Sequence, residues 1–348
     1  MKETAAQTSF GWGIVGTGGV ARRFAADLDH APGARLAAIH SRAPEKAQAF
    51  ADTFRATKAY TDLEALLADP AVDAVYIATP NALHGEQSLR AIQAGKPVLT
   101  EKPLAISAVE AARITEAAKA RPVFAMEAMW TRFLPAVQQA SALVASGAIG
   151  KVKSIRAELC YRRDETKDSR FFERPGGGAA LDLGVYPVSL ALHFLGRPRA
   201  ISGRWRAAGS GVDRHMEITL HYDDAEAVLS CGFDRDGGNS FLIEGADGAL
   251  RLDAPFLKAQ RLTRYSSFAR DFAPRRQGSG LVTKVIDRLP FPGRRTENFP
   301  FPGSGLQFQA MAVMEAVRRG ETACETMPLA ESQAVLAIID EVLSQEPV

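Results

Sequence analysis

The chain is poor in cysteine: of its 348 residues only Cys160, Cys231 and Cys324 are cysteines, far apart and without metal-ligand spacing. We therefore expect no disulfide framework, no zinc site and no other metal, but reduced, buried thiols in a cytoplasmic protein. No excess of either charge is present, and a formal net charge of +2 offers no global attraction to nucleic acid or an anionic membrane. Long hydrophobic runs are missing, as are internal repeats, and Met1–Ser9 is polar with no apolar h-region. What is present is an ordinary globular composition, 46% hydrophobic and 24% charged, long enough for two domains. A small-molecule partner fits that balance better than a polymer or a bilayer.

From Phe10 to Met126 short apolar runs alternate with helical stretches, the pattern of βαβ units around a parallel sheet. Strands are expected at Phe10–Val15, Arg35–His40, Ala74–Ile77, Pro97–Thr100 and Val123–Met126, and helices at Val20–Leu28, Pro44–Phe54, Leu83–Ala94 and Ala108–Ala120. Gly95 suits the residue just past a helix, and Lys96-Pro97 prevents its continuation. Ser107 and Glu110 have the spacing of a capping box. After Glu127 a helix over Pro135–Ser146 gives way to strands Val152–Leu159, Met216–Tyr222, Ala227–Gly232 and Phe241–Glu244, with turns at Asp223-Asp224 and Asp247-Gly248. The fold class is therefore α/β. A Rossmann domain with a parallel sheet spans 10–126, and an α+β domain with an open, largely antiparallel sheet spans 127–348. Ala254–Gly305, rich in arginine, proline and aromatics, reads as an irregular excursion, before helices over Leu306–Arg319 and Leu329–Leu343.

The loop Gly16-Thr17-Gly18-Gly19-Val20-Ala21 joins the first strand to the first helix. Gly16 permits a tight turn, Gly18 lets backbone approach a pyrophosphate, and Ala21 allows close helix–strand packing. Thr17, Gly19 and Val20 complete a dinucleotide cradle at the helix N-terminus. Where NAD enzymes usually carry a carboxylate for the adenosine ribose, this chain has His40-Ser41-Arg42, with Lys46 a turn later. Ser41, Arg42 and Lys46 can converge on a 2′-phosphate, which favours NADP with NAD as second choice; otherwise Arg42 and Lys46 are solvated helix-start charges.

Three segments carry a resemblance: Tyr76-Ile77-Ala78-Thr79-Pro80-Asn81-Ala82-Leu83-His84, Gly95-Lys96-Pro97-Val98-Leu99-Thr100-Glu101-Lys102-Pro103-Leu104, and the run from Gly176 to Tyr186. Together they resemble the glucose-fructose oxidoreductase/inositol dehydrogenase (Gfo/Idh/MocA) family across both domains. Glu127-Ala128-Met129-Trp130-Thr131-Arg132-Phe133 with Tyr186 is most similar to its dimeric dihydrodiol dehydrogenase branch, with tyrosine-using sugar oxidoreductases as the near alternative. Inositol dehydrogenases place a histidine where Tyr186 stands. The resemblance implies an NADP-dependent oxidoreductase moving hydride between nicotinamide and a secondary hydroxyl or carbonyl of a sugar, cyclic polyol or trans-dihydrodiol. It implies that Thr79, Pro80, Asn81, Glu101 and Lys102 join the cofactor site, and that the second domain's sheet makes a dimer or tetramer. Two alternatives within the fold are an NADP-sensing regulator without turnover and a redox-neutral enzyme that keeps its nicotinamide.

Oxidising an alcohol requires a group that takes the hydroxyl proton, and the reverse reaction requires an acid. Tyr186 can serve in both directions if a positive charge such as Lys102 lowers its ordinary pKa of about 10. The resemblance gives Lys102 that task and a hydrogen bond to the substrate oxygen. Asp182, four residues earlier, shares a face with Tyr186 if Leu181–Leu195 is helical and could orient Lys102 or the substrate. Pro187 warns of a kink or a late helix start. Read without the resemblance, the three are a core tyrosine, a helix-start carboxylate and a surface lysine. Trp130 and Arg132 follow the last Rossmann strand as substrate candidates, Trp130 either stacking on a ligand ring or packing in the core. His84 contacts the nicotinamide ribose or is a plain surface histidine. Arg170 reaches substrate from a loop or is a solvated arginine.

Overall fold

The computed structural model describes residues 9–269 and 292–348. By packing, the chain divides into two units: the residues up to Trp130 with Pro302–Gln333, and Thr131–Phe301 with Ala334–Val348. This differs from a linear split at 126/127, because the chain returns to its first unit near the C-terminus.

In the first unit, β1 (Phe10–Val15), β2 (Ala34–His40), β3 (Lys58–Tyr60), β4 (Ala74–Ile77), β5 (Val98–Glu101) and β6 (Ala125–Ala128) form a parallel sheet in the order β3-β2-β1-β4-β5-β6. Between them run α1 (Gly19–Asp27), α2 (Pro44–Phe54), α3 (Leu63–Ala68), α4 (His84–Gln93) and α5 (Ala108–Ala120). Every residue of β1, β4, β5 and β6 is buried, as strands covered on both faces require. The signals read for the helix ends hold. Gly95 adopts φ +73° after α4, and Ser107 Oγ accepts from Glu110 N–H at 3.3 Å. The return half of the box differs, since Glu110 Oε2 accepts from Ile106 N–H at 3.0 Å. β3 and α3 escaped the sequence reading; β3 is three residues long and none of them is buried.

The returning segment carries α8 (Leu306–Arg318), which packs on α1. Its N-cap, Gly305, has no side chain to accept the first N–H groups. The buried carboxylate of Asp27, at the end of α1, accepts instead from Ser304 N–H at 2.9 and 3.0 Å and from Leu306 N–H at 2.9 Å.

The second unit holds α6 (Pro135–Ala145), α7 (Val185–Leu195) and strands β7 (Val152–Cys160), β8 (Ala200–Ala207), β9 (Asp213–His221), β10 (Glu226–Gly232), β11 (Phe241–Gly245), β12 (Gly248–Leu252), β13 (Arg261–Ser266) and β14 (Arg294–Asn298). They form one sheet, β14-β13-β12-β11-β7-β10-β9-β8, antiparallel except where β7 meets β10. α7 packs on β7 and β10, and α6 on β12 and β13. The excursion expected over Ala254–Gly305 is corrected: it contributes β13 and β14, and its stretch 270–291 lies outside the described residues. β14, Arg294-Arg295-Thr296-Glu297-Asn298, has no apolar face, so backbone pairing with β13 defines it. α9 (Leu329–Leu343) leads to a tail tied to β8, where Trp205 Nε1–H donates to Gln345 O at 2.9 Å.

The three cysteines are unpaired; Cys160 and Cys231 are buried, whereas Cys324 is half-buried, short of the burial expected for it. Among the described residues no helix is long and apolar enough to cross a membrane, and no cluster of His, Cys, Asp or Glu is arranged to hold a metal ion.

Candidate functional site

At the carboxyl end of β1 the chain turns at Gly16, φ +106°, a conformation that side chains disfavour. A Cβ on Gly16 would lie 2.6 Å from Ala78 O, just beyond β4, and Gly16 N–H donates to His40 O at 3.0 Å. α1 then begins with Gly18 as its N-cap, which has no side chain to accept its leading N–H groups. A Cβ on Gly19 would meet nothing within 4 Å, and one on Gly18 only Ala78 O at 4.0 Å. Open donors at the positive end of a helix dipole, with room in front of them, fit a pyrophosphate. Ala21 is fully buried; Thr17 and Val20 are partly exposed on the same loop.

β4 and β5 end side by side, Ile77 opposite Thr100, and feed the loops that carry Thr79-Pro80-Asn81 and Lys102-Pro103. His84 joins the two loops: its Nδ1 lies 2.7 Å from Pro103 O and its Nε2 2.9 Å from Thr79 O. At 1% exposure it is no surface histidine, and with both nitrogens engaged by carbonyls it braces the loops rather than reaching for a ribose. Burial, helped by the charge of Lys102, pushes its pKa down, while the two carbonyl contacts pull the other way. Glu127 of β6 holds the same turn, its Oε1 accepting from Leu104 N–H at 2.9 Å. Lys102, half-buried, thus stands on a turn braced at each of the next two residues. Thr79 Oγ1–H donates to Gln87 Oε1 at 2.7 Å.

Glu101 points inward, where it accepts a hydrogen bond from Tyr76 OH. Tyr76 in turn stacks on Phe24 of α1 with ring centroids 3.8 Å apart. Burial pushes the Glu101 carboxyl up to about 6, against the Tyr76 bond and the charges of Lys102 and Arg23. At the end of β2, Ser41 N–H donates to Tyr60 O at 3.1 Å. Arg42 and Lys46 are exposed, and neither is ion-paired among the described residues.

In the second unit Tyr186 lies in the first turn of α7 and is 6% exposed. The turn before it, Ala180–Gly184, is π-helical, its bonds reaching five residues instead of four. Pro187 has no N–H to continue the ladder, and the late start it announced is observed at Val185. Leu181–Leu195 is therefore helical without being uniformly α. Asp182 sits in the wide turn, so four-residue spacing alone no longer sets its direction relative to Tyr186. Arg132 is fully buried and donates from Nε to Ser189 Oγ at 2.9 Å and from Nη2 to Ser189 O at 2.6 Å. The structure thus sets its guanidinium on α7, one turn beyond Tyr186. Trp130 is 8% exposed. Arg170 is exposed, its guanidinium 4.5 Å from the Phe171 ring centroid, and Arg163 lies 3.8 Å from the same ring.

Residues 10–129 match the oxidoreductase family with an NAD-binding Rossmann fold, and residues 137–251 match the GFO/IDH/MocA C-terminal domain. The chain belongs to the Gfo/Idh/MocA oxidoreductase family. Among Gfo/Idh/MocA relatives, trans-1,2-dihydrobenzene-1,2-diol dehydrogenase of Xenopus tropicalis is 32% identical over 96% of this chain and 97% of its own. The Homo sapiens protein of that name is 30% identical, with 95% of each chain covered. A 3-ketoreductase from Actinomadura kijaniata, solved with NADP and TDP-benzene, has a TM-score of 0.79 at 26% identity over 97% of this chain and 98% of that one. This Gfo/Idh/MocA member is an NAD(P)-dependent dehydrogenase acting on CH–OH groups, and its first unit is the dinucleotide-binding domain.

The bracing residues were missed in the sequence. Glu127 had a readable signal, a carboxylate among the apolar residues of a buried four-residue strand, since a buried charge there needs a partner. Asp27 and Ser189 had none, because their partners are far away in the chain.

Proposed function

We propose that the chain is an NADP-dependent dehydrogenase that interconverts a secondary hydroxyl and carbonyl on a trans-dihydrodiol, sugar or cyclic polyol. The observation that carries this reading is the Lys102 turn, braced by His84 and Glu127 at the sheet edge where the glycine cradle also opens. Such bracing fits a lysine whose charge must be held in place. The relatives named as dihydrodiol dehydrogenases support the substrate class, and the NADP-bound ketoreductase supports the cofactor. Exposed Arg42 and Lys46 beside Ser41, with no carboxylate at the end of β2, support recognition of a 2′-phosphate.

Bound in the cradle, a nicotinamide supplies the hydride acceptor or donor. Gly16 to Ala21 would hold its pyrophosphate, with Thr79, Pro80 and Asn81 as further residues to bind it. Tyr186 accepts the alcohol proton as the C–H bond breaks and returns it in the reduction. Lys102 supplies a positive charge and a hydrogen bond to the reacting oxygen, and Asp182 orients the substrate. Trp130 and Arg170 are the candidates for substrate contact. The same reading includes a dimer or tetramer through the second sheet, which sedimentation measures directly.

Tyr186→Phe tests the assignment. Turnover of trans-1,2-dihydrobenzene-1,2-diol and a sugar panel should fall by at least about a hundredfold, with NADP binding unchanged. Turnover within twofold of the parent rejects the role. In parallel titrations of the parent protein, tighter binding of NAD than NADP overturns the cofactor preference.

A further inference from the structure

We propose that Asp213 is a positioning residue for the reaction: from β9 its carboxylate caps the helical segment that carries Asp182 and Tyr186, and so selects the wide turn between them. This rests on the roles proposed above for those two residues. A helix start leaves up to four backbone N–H groups without partners, normally met by a Ser, Thr, Asp or Asn at the N-cap. Here that position is Ala179, which has no polar side chain. Asp213 fills the gap, its Oδ2 accepting from Ala180 N–H at 2.6 Å, with the backbone of Ala179 bonded to the same carboxylate.

The last of the three glycines serves this cap. Gly178 has φ +115°, and a Cβ there would lie 2.1 Å from Asp213 Oδ1, so a side chain is barred by conformation and by the carboxylate together. At the other end of the turn a Cβ on Gly184 would lie 2.9 Å from Cys231 Sγ of β10. The turn is therefore seated on β9 and β10, and Arg132 holds α7 at Ser189 beyond it. Tyr186 stands between the two anchors. A π-turn has an obvious alternative, the ordinary α-turn, which would rotate Asp182 relative to Tyr186. Holding Ala180 from outside the helix fixes that choice. The carboxylate is 3% exposed, and burial pushes its pKa up to about 6 against the backbone bonds it accepts. A charge is kept there at a cost, where backbone donors need an acceptor.

The test uses full-length Asp213→Ala, with amide hydrogen exchange of residues 179–186, kcat and KM for trans-1,2-dihydrobenzene-1,2-diol, the primary deuterium isotope effect, and NADP affinity. Exchange in that segment should quicken by about tenfold while the first unit is unchanged. The kcat should fall at least about tenfold with a larger isotope effect, NADP affinity staying within twofold. Asp213→Asn keeps one accepting oxygen, should fall between parent and alanine variant, and carries the test if the alanine variant does not fold. Unchanged exchange over 179–186 overturns the cap. Faster exchange with unchanged kcat and isotope effect overturns the positioning role. Absence of turnover in the parent with every diol and sugar refutes the proposed function instead, and the cap is then judged by exchange alone.

Discussion

Replacing Glu101 with glutamine should stabilise the cofactor-free protein above neutral pH and leave it unchanged in acid. Glu101 is 5% exposed, and burial pushes its carboxyl up to about 6 from an ordinary 4.5. An acid raised in the folded state holds a proton there that the unfolded chain releases. Its contribution is therefore greatest below 4.5 and is lost as the pH rises through about 6. The gap of roughly 1.5 pH units, at about 1.4 kcal/mol each, amounts to ~2 kcal/mol. Glutamine keeps an oxygen for Tyr76 OH but has no charge to desolvate, so the variant should gain about 2 kcal/mol over the parent near pH 8 and nothing near pH 4. Asp213, also raised to about 6, titrates in both proteins and cancels in the difference. Urea unfolding at a series of pH values measures this by tryptophan fluorescence, since Trp12 packs edge-on against Phe24 at 5.1 Å in the same core as Tyr76. A difference that is constant with pH, or that grows toward acid, refutes the reasoning.

Asp27→Ala removes the acceptor for Ser304 and Leu306 N–H and should cost about 2–4 kcal/mol in thermal or urea unfolding; a loss below about 0.5 kcal/mol would show that α8 needs no cap from α1. Gly16→Ala places a Cβ 2.6 Å from Ala78 O at φ +106° and should weaken NADP binding at least about tenfold in a fluorescence titration; parental affinity would show that the loop does not cradle the dinucleotide. Arg42→Ala should lower NADP affinity by about tenfold and leave NAD affinity alone. Equal losses for both cofactors would remove Arg42 from the 2′-phosphate site.

The two units differ in how far they were legible. The inner strands β1, β4 and β5 are buried on both faces and read as continuous apolar runs, and the end of α4 and the start of α5 are marked by Gly95 and Ser107 next to the helices they bound. β8 and β14 carry no such mark. They are the outermost strands of the second sheet and mostly exposed, so their pairing is set by backbone hydrogen bonds to β9 and β13 that any side chains would allow. For the site, Gly16, Gly18 and Ala21 could be named from local spacing, whereas Lys102 and Tyr186 needed the family resemblance.

By itself the sequence determined the dinucleotide-binding architecture and the residue types available for chemistry, because glycine loops, helix caps and hydrophobic periods act over a few residues. Only the tertiary structure decided which polar groups are engaged internally. His84 braces two loops, Arg132 holds Ser189 57 residues away, Asp213 caps Ala180 across 33 residues, and Asp27 accepts from Ser304 across 277. The physical reason is that burial and hydrogen-bond partners set a polar group's task, and for each of these groups at least one partner lies well outside its own turn or helix.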